Sequence, residues 1–286
     1  MRRLIERVND WFVDRADRLA AWGIRLVQGR GIRRAWLVVG SLVAVPLLAL
    51  GAMQATSVLA HEERTERTEM AAGELTGVLV DNDAGSVEVV GVEGADAVVV
   101  HARISEGLRS TGHRVDERDG MVVVRGSCPL FAAEWCSVDY TIEVPVDMYV
   151  DVSGVEGVQV SDVAGGVNAH SRASTVELDR VGGDVTASAN QGRLEATDLS
   201  AERLHARANQ GSLSLEFAVS PREIVADANQ GSVDIVLPED PDISYATVVE
   251  ANQGSVNNRI NSSPRSDRSI TAQANQGSIT IRYATP

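Results

Sequence analysis

The sequence predicts an all-β protein, a β-solenoid ectodomain with units of about 18–23 residues, preceded by one transmembrane helix and a short amphipathic helix. Three observations predict it: an uncharged apolar run, a tetrapeptide that occurs five times, and alternating apolar and polar residues between its copies. Alternation with a period of two indicates strands, because successive side chains of a strand point to opposite faces. The predicted organisation is a cytoplasmic Arg-rich amphipathic segment (1–34), a transmembrane signal anchor (35–60), a polar stalk (61–72) and an extracytoplasmic β-strand-repeat domain (73–286).

The charge balance of the chain argues against one large class of partner. The chain carries 26 basic residues, all of them arginine, against 40 acidic residues, and its net charge is −14. Proteins that bind nucleic acids neutralise the phosphates with clustered Arg and Lys. The composition therefore predicts that no nucleic acid is a partner.

The uncharged run, residues 35–60, predicts a single membrane-spanning helix. At 1.5 Å per residue, about 20 apolar residues cross the hydrocarbon layer of a bilayer, which is roughly 30 Å thick. Nine Arg and four acidic residues precede the run, so the acidic excess of the chain lies after it. Because Arg-rich flanks stay in the cytoplasm, we expect a single-pass protein of the cell membrane with its N-terminus inside and its C-terminal domain outside.

Two features of the N-terminal part have alternative interpretations. Val58-Leu59-Ala60 has the small-residue spacing of a signal-peptidase site, so cleavage after Ala60 is the alternative to an uncleaved anchor. The long segment before the apolar run favours the anchor. Residues 1–28 interleave apolar residues with Arg, which is typical of an amphipathic helix on the inner membrane face. The alternative is a short solvated helix with no partner.

The tetrapeptide Ala-Asn-Gln-Gly recurs at intervals of 19 to 23 residues. Two short strands and two turns per interval are typical of one coil of a β-solenoid, whereas a propeller blade needs about 40 residues. A β-sandwich or β-roll is the alternative architecture. We expect the repeated amides to stack as a structural ladder that keeps the units in register, the alternative being a polar strip that binds a repetitive glycan. The amides are Asn190, Gln191, Asn209, Gln210, Asn229, Gln230, Asn252, Gln253, Asn275 and Gln276.

Short motifs also carry a family resemblance. They are Gly85-Ser86-Val87-Glu88-Val89, the segment 140–145 and the Gly-Ser-Val units of the repeats. Over roughly residues 75–284 the chain resembles the bacterial putative-adhesin family of β-strand-repeat domains of unknown function, which is related to LiaG-like envelope proteins. The resemblance implies a membrane-anchored β-solenoid at the cell surface, without catalytic residues. Asn-Gln-Gly replaces the Ser-Gly usual in the family, which leaves the ligand open.

The sequence indicates no catalytic, cofactor or metal site. Polysaccharide-cleaving enzymes need two carboxylates at a defined separation, but the acidic residues here alternate along strands as on any solvated face. The five histidines have no partner at metal-ligand spacing. We therefore expect a non-enzymatic protein without a cofactor, and weak, diffuse binding of calcium to the acidic surface is left open.

The two cysteines, Cys128 and Cys136, are expected to form a disulfide outside the cytoplasm, with free thiols as the alternative. Phe131 and Trp135 lie between them and form a candidate contact with a partner, the alternative being that they pack over the end of the domain. We expect an adhesin-like or envelope-polymer-binding module, whose partner is an envelope polysaccharide or another surface protein. The alternative is an envelope stress sensor or accessory protein that acts through its cytoplasmic helix.

Overall fold

A computed structural model describes residues 40–48, 51, 62–107, 110–129 and 136–284. The chain divides into two units, Met1–Leu59 and Ala60–Pro286. Residues 40–48 of the first unit are helical. Within the described residues no helix is long and apolar enough to cross a membrane, so the transmembrane helix of the predicted fold class is not supported. The predicted amphipathic helix, residues 1–28, and the alternative cleavage point at Ala60 lie outside the described residues.

Strands account for nearly all of the regular secondary structure in the described part of the second unit, which confirms the all-β class. A short 3-10 helix, Ala72–Glu74, follows the first strand. The strands are β1 (Glu62–Ala71), β2 (Gly77–Asn82), β3 (Val87–Val92), β4 (Ala97–Glu106), β5 (Gly112–Arg118), β6 (Met121–Ser127), β7 (Ser137–Pro145), β8 (Tyr149–Gly154), β9 (Val158–Ser161), β10 (Val167–Ser171), β11 (Val176–Asp179), β12 (Asp184–Gln191), β13 (Leu194–Leu199), β14 (Arg203–Gln210), β15 (Leu213–Phe217), β16 (Glu223–Gln230), β17 (Val233–Leu237), β18 (Ala246–Gln253), β19 (Val256–Asn258), β20 (Ser269–Gln276) and β21 (Ile279–Tyr283).

Within the described residues these strands form two sheets. The eleven-stranded sheet has the order β1-β4-β7-β3-β9-β11-β13-β15-β17-β21-β19, and the ten-stranded sheet has the order β18-β20-β16-β14-β12-β10-β8-β2-β6-β5. From β8 onward, consecutive strands alternate between the two sheets. Each then pairs in parallel with a strand of a neighbouring repeat unit.

The predicted β-solenoid is wrong, because both sheets are mixed. The pairs β1–β4, β4–β7 and β5–β6 are antiparallel, and β20 lies between β16 and β18 instead of following β18. The prediction treated residues 73–150 as an N-terminal cap of the solenoid, with strand patterns that lack the tight spacing of the repeats. There Asp119 and Gly120 both have positive φ angles, 53° and 75°, and turn the chain back on itself between β5 and β6. An Asp-Gly turn of this kind joins antiparallel strands.

The core lies between the sheets and is built from every second residue of the strands. In β11, Val176 and Leu178 are buried, whereas Glu177 between them is exposed. Parallel register places Val176 opposite Val158 on one side and Leu194 on the other, so aliphatic side chains stack in rows. A shift by one residue would turn such a row towards solvent, so burial of the aliphatic rows fixes the register.

Asn82, at the end of β2, is a fully buried polar residue that joins three segments of backbone. Its Nδ2 donates to the carbonyl oxygens of Val138, at 2.8 Å, and Ser86, at 3.3 Å. Its Oδ1 accepts a hydrogen bond from the backbone N–H of Ala84 at 3.1 Å. The amide therefore satisfies groups that would otherwise be buried without partners.

His113 of β5 links three strands at the N-terminal end of the sheets. The hydroxyl of Tyr140 donates to the carbonyl oxygen of Arg125 at 2.9 Å, and His113 Nδ1 lies 2.8 Å from that hydroxyl. Because Tyr140 has a single hydroxyl proton, His113 Nδ1 carries the hydrogen of this second bond. His113 Nε2 faces Glu66 Oε2 of β1 at 3.5 Å. Burial lowers the pKa of His113, the carboxylate of Glu66 acts in the opposite direction, and Arg64 lowers it further.

This histidine is expected to make the stability of the protein fall in mild acid. Because the folded pKa of His113 lies below its unfolded value of 6.5, its contribution is fully present above pH 6.5 and is lost as the pH falls through the folded pKa. We expect the stability difference between the protein and a His113→Gln variant to decrease between pH 7.5 and pH 5, with a slope of at most about 1.4 kcal/mol per pH unit. Urea unfolding of both proteins at several pH values measures it, and parallel curves would contradict the assignment.

Candidate functional site

Five asparagines form a hydrogen-bonded row on the outer face of the ten-stranded sheet. Each belongs to one copy of Ala-Asn-Gln-Gly and is exposed. Four hydrogen bonds join them, in each of which the Oδ1 of one asparagine accepts from the Nδ2 of the next at distances between 2.9 and 3.2 Å. This asparagine row runs in the order Asn190, Asn209, Asn229, Asn275 and Asn252. The row follows the order of the strands, since β20 lies between β16 and β18.

The glutamines of the repeat lie next to the asparagine row and take part through their backbone. The N–H of Gly192 donates to the carbonyl oxygen of Gln210 at 2.9 Å, and the N–H of Gly211 donates to that of Gln230 at 2.8 Å. The glutamine side chains are exposed: Gln191, Gln210, Gln230, Gln253 and Gln276. The structure therefore places a side-chain ladder at the asparagines and a backbone ladder at the glutamines.

The glycine of the repeat permits the close stacking of successive units. Gly211 has a φ angle of 152°, which side chains rarely adopt. A Cβ atom at Gly211 would overlap the carbonyl oxygen of Gly192 in the neighbouring unit. Glycine is thus required by the backbone of the next unit as well as by its own conformation.

A second row on the same face, two residues before each asparagine, carries charges of both signs. Arg207 Nη2 lies 3.1 Å from Asp227 Oδ2. Gln273 and Glu250 continue this row in register with Asp227. The two rows line a shallow, open depression of about 370 Å³. The depression therefore offers amide, carboxylate and guanidinium groups side by side.

A bidentate ion pair lies at the opposite end of the same strands. Arg203 Nε and Nη2 donate to the two carboxylate oxygens of Asp184 at 3.0 and 2.7 Å. The hydrogen bond from Arg203 lowers the pKa of Asp184, while the weaker effect of desolvation raises it. Exposed ion pairs contribute little to stability. Their effect here is to keep the carboxylate ionised and its oxygens fixed in direction.

The sequence reasoning missed these charged residues, although a signal was present. The residue directly before each Ala-Asn-Gln-Gly contributes to the second row, so alignment of the five copies would have brought the charges together. The residues at this position are Ser188, Arg207, Asp227, Glu250 and Gln273, of which Arg207, Asp227 and Glu250 are charged.

Cys128 and Cys136 are joined by a disulfide, with their Cα atoms 5.9 Å apart. The bond ties the end of β6 to the start of β7, and these strands belong to different sheets. Phe131 and Trp135 lie outside the described residues, so the candidate partner contact stays a prediction. In the described part of the chain, no group of three or more His, Cys, Asp or Glu side chains could hold a metal ion.

Comparison with known proteins gives weak structural similarities. A putative adhesin from Parabacteroides merdae is 11% identical with a TM-score of 0.41, and covers 78% of this chain and 97% of its own. A putative cell adhesion protein from Clostridium sporogenes is 13% identical with a TM-score of 0.36, and covers 78% and 100%. A putative lipid binding protein from Parabacteroides distasonis is 12% identical with a TM-score of 0.27, and covers 78% and 97%.

No protein-family model and no curated protein sequence matches the chain. The TM-scores of the structural similarities are too low to indicate a function.

Proposed function

We propose that the protein is a non-enzymatic, adhesin-like surface protein that binds an envelope polymer through the asparagine row. The proposal is based on the row because its hydrogen bonds use only half of the hydrogen-bonding capacity of each asparagine that has a neighbour on both sides. An amide has two N–H donors and two acceptor positions, and the row uses one of each. The remaining donor and acceptor of each asparagine are exposed and held in a fixed direction.

The regular spacing of the row supports a polymeric ligand. Neighbouring strands lie about 4.7–4.9 Å apart, so the free donors and acceptors repeat at that interval. A polysaccharide carries hydroxyl groups that recur along its length and can pair with such an array. Because the asparagines already constrain one another, little side-chain freedom is lost on binding.

The lowered pKa of Asp184 supports binding over general-acid catalysis at this position. A general acid in a glycosidase has a raised pKa. Asp184 has a lowered pKa instead, because Arg203 donates hydrogen bonds to it. The disulfide supports display outside the cytoplasm, since such bonds persist in oxidising compartments.

The proposal predicts that removal of the row weakens polymer binding without unfolding the protein. We expect the full-length chain to sediment with an isolated envelope polysaccharide. A triple variant, Asn209→Ala, Asn229→Ala and Asn275→Ala, should bind at least about tenfold more weakly, which corresponds to about 1.4 kcal/mol spread over three amides. Co-sedimentation at low and moderate salt measures the effect, and circular dichroism reports whether the variant is folded.

The other sheet provides a matched control. Glu177, Glu195 and Ser214 lie in register on the outer face of the eleven-stranded sheet. Their replacement by Gln, Gln and Ala should leave binding unchanged. Equal binding by the folded asparagine variant, or equal loss in both variants, would contradict the proposal.

A further inference from the structure

Tyr149 is an exposed aromatic residue in an otherwise aliphatic and polar part of the ten-stranded sheet. It begins β8 on the outer face, where 39% of its surface is exposed. An aromatic side chain held at a sheet surface presents apolar area at a low cost in conformational freedom. Two features of its surroundings bear on what it can bind.

The first is that glycines flank Tyr149 on both neighbouring strands. Gly77 of β2 is its direct partner in the sheet, and Gly166 precedes β10 on the other side. A Cβ atom at Gly166 would lie 3.6 Å from Tyr149 Cδ2, and one at Gly77 would lie 3.2 Å from Met121 Cε. Both glycines are buried, so the side chains of Tyr149 and Met121 cover the positions that larger residues would fill and form one apolar surface.

The second is that hydrogen-bonding groups surround this apolar surface. Asp151, two residues after Tyr149 on the same face, accepts a hydrogen bond from Asn168 at 3.1 Å. The ion pair of Asp184 and Arg203 lies on the next strands beyond Gly166. Burial raises the pKa of Tyr149, and the carboxylate of Asp151 adds to that effect. The hydroxyl therefore stays protonated and can donate a hydrogen bond.

A flat apolar surface bordered by fixed hydrogen-bond donors and acceptors fits a pyranose ring, which has an apolar face and a polar rim. One face of a β-linked pyranose exposes axial C–H groups, and its rim carries hydroxyl groups. Asp151 and the overall charge of −14 disfavour a sugar that carries a carboxylate or a sulfate. The fitting ligand is thus a neutral sugar unit.

We propose that Tyr149 is the stacking platform of a subsite for a neutral pyranose, with Asp151 and Asn168 as its hydrogen-bonding groups. This inference rests on the proposed function, because it adds a sugar-specific subsite to the polymer-binding face. The subsite and the asparagine row lie on the same face but at opposite ends of the strands, because Tyr149 begins β8 whereas the asparagines lie near the ends of their strands.

Saturation-transfer NMR with the full-length protein and short neutral oligosaccharides, cellotetraose and chitotetraose, tests the subsite. We expect the strongest transfer to the axial protons H1, H3 and H5 of one of these sugars. Tyr149→Ala should reduce that transfer at least about fivefold, whereas Tyr149→Phe, which keeps the ring, should retain most of it. Lauric acid is measured in the same way, to test whether the surface at Tyr149 binds an apolar ligand instead of a sugar.

The outcomes separate this subsite from the proposed function. Transfer that is absent, or that persists in Tyr149→Ala, overturns the subsite, as does a response of lauric acid alone to the substitution. Loss of polymer binding in the asparagine variant would then leave the proposed function standing. The converse result is that Tyr149→Ala lowers binding of both the oligosaccharide and the polymer, while the asparagine variant binds the polymer as well as the unchanged protein does. In that case the subsite stands and the proposed role of the asparagine row fails.

Discussion

Substitution of Gly211 by alanine is expected to destabilise the protein by about 3 kcal/mol or more. Two effects add: the backbone at a φ of 152° is strained for any residue with a Cβ, and that Cβ would overlap the carbonyl oxygen of Gly192. The overlap involves backbone on both sides, so no side chain can move aside to relieve it. Chemical denaturation of the purified variant measures the loss of unfolding free energy.

Gly157 provides the matched control for this substitution. A Cβ atom at Gly157 would meet no atom within 4 Å. Gly157→Ala should therefore change the stability by less than about 1 kcal/mol, with a gain possible through the lower entropy of the unfolded chain. If Gly211→Ala were as stable as Gly157→Ala, the close stacking of neighbouring units would be wrong.

Substitution of Asn82 by alanine is expected to cost about 2–4 kcal/mol. The change leaves the carbonyl oxygen of Val138 and the N–H of Ala84 without their partner and opens a small cavity. Thermal unfolding and urea titration measure this. Asn257, an exposed asparagine of β19, is the control, and Asn257→Ala should cost less than about 0.5 kcal/mol. Similar losses in the two variants would show that the hydrogen bonds of Asn82 do not determine the stability of this region.

Period-two alternation predicted which side chains enter the core, but it could not predict the order of the strands. All copies of the tetrapeptide can form the same hydrogen-bonded row, so local sequence does not specify the neighbour of each copy. The inward-facing side chains of the strands determine which copy lies next to which. Asn258 of β19 stands in register with the buried Ile281 of β21, and a polar side chain in that position is tolerated only at an exposed edge.

The asparagine row was predictable because it repeats one residue at one phase of a regular pattern. The surroundings of Tyr149 could not be predicted in this way, because Gly77 and Gly166 are far apart in the sequence. They lie on either side of Tyr149 only because of the strand order β10-β8-β2. The Asp119-Gly120 turn was visible in the sequence as a hairpin signal. It was overlooked because the segment was interpreted as an irregular cap of the repeats.

The central position of β20 and β21 makes the edge of both sheets depend on the last part of the chain. Strands β18 and β19 precede them in the sequence, yet the partners of both strands are β20 and β21. In the folded protein, segment 269–283 lies between segment 246–258 and the strands β16 and β17. Removal of residues 269–283 would therefore take away the hydrogen-bonding partners of segment 246–258 as well.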